Sequence, residues 1–196
     1  MPSKKIKTPL TFDRYYHIYN RGNNRENIFY KGEHYQFFIK KYTEMIHPYV
    51  HTYAYCLLPN HFHFLLKVDP FTSNVSCKQP SHLFRKFFQC YAIWFNKRQN
   101  RRGSLFTKYF RRIEITNEDY LRRLILYIHM NPVKHGVSHD FKTYPYSSFE
   151  SYLSYQPGIV NHSETLNLFN DNMLEFLQFH DLSEEKPDLR DLIIEK

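Results

Sequence analysis

Two histidines separated by one residue, His61 and His63, form the sharpest chemical feature of the chain. If residues 61–68 form a strand, residues i and i+2 point to the same face, so the two imidazoles lie side by side. Neutral imidazole is a common ligand of divalent metals, and the pair therefore predicts a metal site. The alternative is that two of the 12 histidines fall at this spacing by chance.

Tyr127 and Asn131 form a second pair, four residues apart, which places them on one face of a helix. Pro132 disfavours helical geometry at the residue before it, so we expect the helix to end or kink at Asn131. There the tyrosine could act as a nucleophile and the amide oxygen as a third metal ligand. From spacing alone, a packed helix end is the better explanation, because Tyr127 is one of 17 tyrosines.

The charge of the chain favours an anionic partner. Its 196 residues carry a net charge of +8, and the isoelectric point is about 9.3. Residues 1–158 hold 24 basic and 10 acidic residues, a net charge of +14, whereas residues 159–196 hold 3 and 9, a net charge of −6. Nucleic acid is the commonest partner of a basic body. The alternative is that the surface charge only maintains solubility.

Basic residues mixed with aromatic ones indicate where nucleic acid could bind, because Lys and Arg neutralise phosphates and aromatic rings stack on bases. We expect contacts from the turn after the first strand, from the fourth strand, and from the helix that carries Tyr127. The candidate residues are Arg21, Asn23, Asn24, Lys108, Arg111, Arg112, Arg122 and Arg123. The alternative for the long helix that begins near Ser81 is that its aromatic residues belong to the core and its cations form a solvated face.

The elements that must position these residues follow from hydrophobic periodicity and turn signals. Strands are predicted at 14–20, 49–57, 61–68 and 104–115. Helices are predicted at 31–46, from Ser81 to about Arg98, and from Thr116 or Asn117 through Tyr127 towards Pro132. The first six elements have the β-α-β-β-α-β order of the ferredoxin-like fold, an α+β architecture whose antiparallel sheet carries helices on one face. The nucleophile helix and a C-terminal helical extension would follow.

The chain divides into a predicted catalytic domain, 1–155, and an acidic extension, 156–196, which we expect to be helical and then frayed. The N-terminus lacks the apolar stretch of a secretory signal, and no apolar run could span a bilayer. The three cysteines form no disulfide framework. We therefore expect a cytoplasmic protein that has no membrane contact. Phosphate-binding, dinucleotide-binding and serine-hydrolase motifs are missing from the sequence.

Five collinear segments resemble the REP-associated subgroup of the HUH single-tyrosine transposases. The segment at 53–66 is similar to their Pro-Asn-His-hydrophobic-His signature, and the segment at 127–137 is similar to their nucleophile helix. The remaining three matching segments are 16–29, 103–112 and 144–153. The resemblance thus extends in order from about residue 14 to residue 153.

This resemblance implies that His61 and His63 are the HUH metal ligands and that Tyr127 is the nucleophile. Asn131 falls where the family places a third, amide-type ligand. Insertion-sequence relatives commonly have Gln there, so Asn131 supports the REP-associated subgroup. The implied cofactor is Mg²⁺ or Mn²⁺, and the implied partner is single-stranded DNA that contains a hairpin. Relatives act either as monomers or as homodimers.

The implied reaction is cleavage and strand transfer of single-stranded DNA through a covalent 5′-phosphotyrosine. Two alternatives stay open at this point. One is a non-catalytic, sequence-specific nucleic-acid-binding regulator built on the same fold. The other is a metal-dependent phosphohydrolase that uses water in place of tyrosine and leaves a free 5′-phosphate.

Overall fold

A computed structural model of the chain describes residues 8–69, 80–154 and 158–181. Its strands are β1 (Tyr15–Arg21), β2 (Val50–Leu58), β3 (His61–Val68) and β4 (Arg111–Ile115). Its α-helices are α1 (Gly32–Met45), α2 (Pro80–Arg98), α3 (Glu118–Lys134), α4 (Phe149–Ser154), α5 (His162–Asn167) and α6 (Met173–Asp181). Short 3₁₀ turns lie at Asn23–Arg25 and His47–Tyr49.

The four strands form one sheet in the order β2-β3-β1-β4, in which all neighbours are antiparallel. This arrangement follows from the order of the elements, because β3 pairs with β2 through a tight turn and β1 then fits between β3 and β4. The predicted α+β, ferredoxin-like architecture is therefore confirmed.

The two faces of the sheet are covered by different helices. On one face, Phe62 and Phe64 of β3 contact Phe38 of α1, and Phe62 also stacks on Phe88 of α2. On the other face, His63 contacts Tyr127 of α3. The strand alternation predicted at 61–68 thus separates an aromatic core from a polar layer beneath α3.

Two predicted boundaries are wrong. The strand predicted at 104–115 is regular only over Arg111–Ile115. Phe106 forms an isolated bridge with Gly22, and the Leu105 carbonyl accepts a hydrogen bond from the Asn23 N–H in the turn after β1, so the segment before β4 is irregular. The helix that carries Tyr127 does not end at Asn131 but continues to Lys134 with Pro132 inside it. So close to the C-terminal end, proline removes the donor of only one carbonyl, and helical packing is retained.

The described part of the C-terminal extension belongs to the same hydrophobic core. Phe169 and Phe176 are buried, and Phe176 packs against Tyr152 of α4 and His129 of α3. The helix α3 is therefore covered by the sheet on one side and by α4 and α6 on the other. Residues 155–157 and 182–196, where part of the predicted frayed end falls, lie outside the described residues. Among the helices described, none has the length and apolar character needed to cross a membrane.

Candidate metal and nucleophile site

The strand β3 places both histidines beneath α3. His61 and His63 pair with Arg21 and Tyr19 of β1, and all four side chains share one face of the sheet. His63 is fully buried, whereas His61 at the end of the strand is 9% exposed. The ring centroids of the two histidines are 5.2 Å apart, so the two predicted ligands lie next to each other.

A neighbouring side chain contacts the Nδ1 atom of each histidine. Nδ1 of His61 lies 2.6 Å from Oδ1 of Asn60. An amide oxygen only accepts hydrogen bonds, so this Nδ1 donates, and the neutral ring carries its lone pair on Nε2. Nδ1 of His63 lies 2.9 Å from Nε2 of His17, a fully buried residue of β1.

Tyr127 reaches this layer from α3, which begins where Oδ1 of Asn117 accepts a hydrogen bond from the Tyr120 backbone N–H at 2.9 Å. The Tyr127 ring lies edge-on to His63, with centroids 5.7 Å apart, and only 1% of the residue is exposed. The Nζ atom of Lys134 lies 4.3 Å from the centroid of the same ring. The predicted nucleophile therefore contacts both a predicted ligand and a cation.

Asn131 lies one turn further along α3 and is fully buried. Its Nδ2 donates a hydrogen bond to the carbonyl oxygen of Tyr127 at 2.8 Å. Its Oδ1 is buried and accepts no hydrogen bond from the described residues. A buried acceptor in this state costs about 1–3 kcal/mol, so a ligand for it is expected.

The donor set fits a single divalent metal. Two imidazole nitrogens and one amide oxygen leave coordination positions open for substrate oxygens. Within the described ranges, no cluster of three or more His, Cys, Asp or Glu side chains is arranged to hold a metal.

A cavity of about 360 Å³ opens beside His61. The residues that line it are Tyr19, Asn20, Arg21, Arg25, Asn60, His61, Thr107, Arg111 and His135. The Arg111 guanidinium lies 5.7 Å from the Tyr19 ring, and the His135 ring contacts His61 at 4.6 Å. Three arginines thus converge next to the predicted metal ligands, where they can bind phosphate.

The other predicted DNA-binding residues have different surroundings. Arg112 faces the α1–α2 side of the sheet, and its Nε donates to the Thr8 carbonyl at 2.6 Å. Its burial lowers the pKa of the guanidinium from the usual value. Arg122 pairs with Glu118 and Asp119 on its own helix at 3.4 and 3.3 Å. Neither arginine lines the cavity.

The remaining predicted residues lie outside the cavity as well. Asn23 and Asn24 form the 3₁₀ turn after β1, where the Asn23 N–H donates to the Leu105 carbonyl. Arg123 lies over the ring of Tyr120, and Lys108 lies beside the exposed Tyr109. Only Arg21 and Arg111 of the predicted set join the candidate metal site.

Sequence reasoning missed four residues that complete the site: His17, Asn60, Lys134 and His135. A signal was available for His17, because strand alternation puts it on the same face as Tyr19 and Arg21. The position of Lys134 follows only once α3 is known to continue past Pro132.

Comparisons with known proteins agree with the motif resemblance. The chain is 30% identical over 103 residues to a Haemophilus influenzae protein described as a "Putative REP-associated tyrosine transposase". That match covers 50% of this chain and 58% of the relative, so the chain spans little more than half of that protein's length. No protein-family model matches the chain.

The fold is similar to that of a solved REP-associated tyrosine transposase bound to a REP hairpin. The TM-score is 0.58 at 18% identity, and the match covers 83% of this chain and 93% of the other. At this identity the likeness shows the fold. The resemblance predicted from the collinear motifs is therefore confirmed, because the chain is similar in sequence to a protein of that description and in fold to a solved REP-associated tyrosine transposase.

Proposed function

We propose that the protein is a metal-dependent endonuclease and strand transferase that cleaves single-stranded DNA near hairpins through a covalent 5′-phosphotyrosine. The observation that carries this proposal is that the Tyr127 ring lies edge-on to the predicted ligand His63, while Asn131, one turn further along the same helix, keeps a buried amide oxygen without a donor among the described residues. A packed helix end needs neither a histidine pair nor a buried acceptor without a donor.

His61, His63 and Asn131 would hold the metal. When bound, a divalent ion supplies Lewis-acid polarisation of the scissile phosphate. Imidazole ligands suit Mn²⁺ better than Mg²⁺, which prefers oxygen, although the phosphate oxygens would complete either shell. We therefore expect Mn²⁺ to support activity at least as well as Mg²⁺.

The Tyr127 phenol oxygen would attack the phosphorus in line. Its bond to phosphorus forms as the bond to the 3′ oxygen breaks, and the phenol proton is lost while the leaving oxygen gains one. The products are a 5′-phosphotyrosine and a free 3′-hydroxyl, which keeps the strand ready for rejoining. The ammonium group of Lys134, 4.3 Å from the ring centroid, is a cation placed to stabilise the negative charge that develops on the phenol oxygen during attack.

The arginines of the cavity would hold the DNA beside the reacting phosphate. Arg21, Arg25 and Arg111 line this space, and Tyr19 offers an aromatic surface for a base. The structural relative is bound to a REP hairpin, which supports a hairpin-containing strand as the partner of this chain.

The experiment is to incubate the protein with single-stranded hairpin DNA and Mn²⁺ and to separate the products on a denaturing gel. We expect a covalent protein–DNA adduct that is lost in Tyr127→Phe. Tyr120→Phe, two turns earlier on the same helix, is the matched control and should still form the adduct.

The same gel separates the alternatives. Cleavage that survives in Tyr127→Phe, with free 5′-phosphate, would indicate a phosphohydrolase that uses water. Binding without cleavage by the wild-type protein in Mn²⁺ would indicate a non-catalytic regulator. Either result would overturn the proposed nucleophile.

A further inference from the structure

His17 is a buried polar residue that has no role in the proposed reaction. It is fully buried in the middle of β1, between β3 and β4. Its Nε2 lies 2.9 Å from Nδ1 of His63, and its ring stacks on His63 with centroids 5.1 Å apart. The contact links a central strand to the more buried of the two predicted metal ligands.

The direction of this hydrogen bond decides whether His63 can bind a metal through Nε2. A neutral imidazole carries one proton and one lone pair, on different nitrogens. If His63 Nδ1 donates to His17, the lone pair of His63 lies on Nε2 and can coordinate. If His17 donates instead, His63 Nε2 carries the proton and cannot.

The surroundings of His17 also fix the orientation of the His63 ring. His17 is stacked on Tyr19 at 4.7 Å and meets the Tyr127 ring edge-on at 6.4 Å. His63 is therefore enclosed by rings from β1 and α3, whereas His61 receives the equivalent Nδ1 contact from Asn60. A histidine that binds a metal through one ring nitrogen commonly has a hydrogen-bond partner at the other nitrogen, which fixes its tautomer and the orientation of its ring.

We propose that His17 is a positioning residue. Its Nε2 accepts a hydrogen bond from the Nδ1–H of His63, which keeps the His63 lone pair on Nε2 and directs it towards the metal. This inference rests on the proposed metal site but not on DNA cleavage. It predicts a role for His17 in metal affinity that packing alone would not give.

The test compares two variants by Mn²⁺ titration calorimetry in the absence of DNA. His17→Phe keeps a ring in the layer but removes the acceptor. His17→Gln places an amide oxygen near the position of Nε2 and restores an acceptor. We expect His17→Phe to weaken Mn²⁺ binding about 10- to 100-fold, and His17→Gln to stay within about threefold of the wild type. Thermal unfolding without metal verifies that both variants are folded.

Equal Mn²⁺ affinity in His17→Phe and the wild type would overturn the inference, and so would equal losses in two folded variants. The failure of the proposed function itself is distinguishable, since the wild-type protein would then bind no Mn²⁺, or would bind it equally well after His63→Ala.

A second measurement needs no substitution of His17. Long-range ¹H–¹⁵N NMR spectra of the metal-free protein report which nitrogen of each neutral histidine carries the proton, with His63 assigned by comparison with His63→Gln. We expect the proton on Nδ1 of His63. A proton on Nε2 would overturn the inference.

Discussion

The buried oxygen of Asn131 should lower the stability of the metal-free protein. Asn131→Leu has a similar shape and removes both the acceptor without a donor and the Nδ2 bond to Tyr127. A buried acceptor without a donor costs about 1–3 kcal/mol and the lost bond contributes about 0.5–1.5 kcal/mol, so the net effect should be stabilising. We expect the metal-free melting temperature to rise by about 2–4 °C.

The same variant should lose the stabilisation that Mn²⁺ gives the wild-type protein, because a bound ligand stabilises only the state that binds it. Differential scanning fluorimetry with and without Mn²⁺ measures both effects. An unchanged Mn²⁺-dependent shift in Asn131→Leu would remove Asn131 from the ligand set.

Lys134 should affect the reaction through its charge. Lys134→Met removes the cation 4.3 Å from the Tyr127 ring, whereas Lys134→Arg retains a cation. We expect Lys134→Met to slow adduct formation on the order of tenfold at pH 7, which corresponds to about 1.4 kcal/mol in the barrier. The defect should shrink at pH 9, where the phenol ionises more readily. A defect of equal size at both pH values, or one shared by Lys134→Arg, would contradict an electrostatic role.

For single residues, the sequence predicts a contact when the two partners are close together in the chain, and not when they are far apart. His61 with His63, and Tyr127 with Asn131, are related by the periods of strand and helix, so their shared faces followed from spacing. His17 is 46 positions from His63, and the strand register that joins them is visible only in the folded sheet.

The tight turn after β1 depends on a glycine for steric reasons. A Cβ atom on Gly22 would lie 2.0 Å from the carbonyl oxygen of Glu26, whereas one on Gly32 would lie 3.5 Å from the Tyr146 hydroxyl. We expect Gly22→Ala to lower the free energy of unfolding by about 1–3 kcal/mol. Gly32→Ala, in α1, should leave it unchanged or raise it. Urea unfolding of both variants measures the difference, and equal stabilities would show that the turn can relax.

The contact of α6 with α3 should make stability depend on pH. His180 Nε2 lies 2.9 Å from Nδ1 of His129, and Nδ1 of His180 lies 2.7 Å from the Phe176 carbonyl. Burial lowers the pKa of His180 from 6.5 to about 4, and burial also lowers the pKa of His129. Lys142 and Asp181, which pair at 2.6 Å, are the charged neighbours of His180.

Between pH 6.5 and 4 the unfolded chain therefore binds a proton at His180 that the folded chain does not. The contribution of His180 to the free energy of unfolding is fully present above pH 6.5. It falls as the pH drops towards 4, by on the order of 3 kcal/mol. His180→Gln keeps an acceptor for His129 but does not titrate, so its urea midpoint should fall less steeply with pH. If the pH profiles of the wild type and His180→Gln ran parallel, His180 would not be the origin of the pH dependence.

The elements that were predicted well are those whose apolar residues recur with a single clear period, that of a strand or of a helix. The strand predicted at 61–68 is observed at His61–Val68, and the helix predicted at 31–46 is observed at Gly32–Met45. The segment before β4 was mispredicted because its backbone bonds to the turn after β1 through Leu105 and Phe106, a long-range pairing that hydrophobic spacing does not reveal. The continuation of α3 through Pro132 is a tertiary effect, since Pro132 is buried.

For the whole molecule, the order of the elements was enough to predict the sheet, but not which face α3 would cover. The helix α3 covers the face that α1 and α2 leave open, and its outer side packs against Phe149 and Phe176 through His129. Although residues 159–196 are acidic in composition, Leu166, Phe169 and Phe176 of this segment share the core with the basic body.

The basic charge itself should act locally, through the arginines of the cavity. One double variant, Arg21→Gln with Arg111→Gln, removes two cations that line the cavity. The control double variant, Arg112→Gln with Arg122→Gln, removes the same charge outside it. Arg112 binds the Thr8 carbonyl, and Arg122 pairs with Glu118 and Asp119. Each phosphate neutralised on a single strand contributes about 0.7 to the slope of log K against log salt. We expect the cavity pair to reduce the slope by about 1.4 and the control pair to leave it nearly unchanged.

Fluorescence anisotropy of labelled single-stranded hairpin DNA across a salt series measures both slopes, with circular dichroism as the check on folding. Equal reductions would mean that the net charge of the body, and not the cavity beside His61, determines DNA affinity.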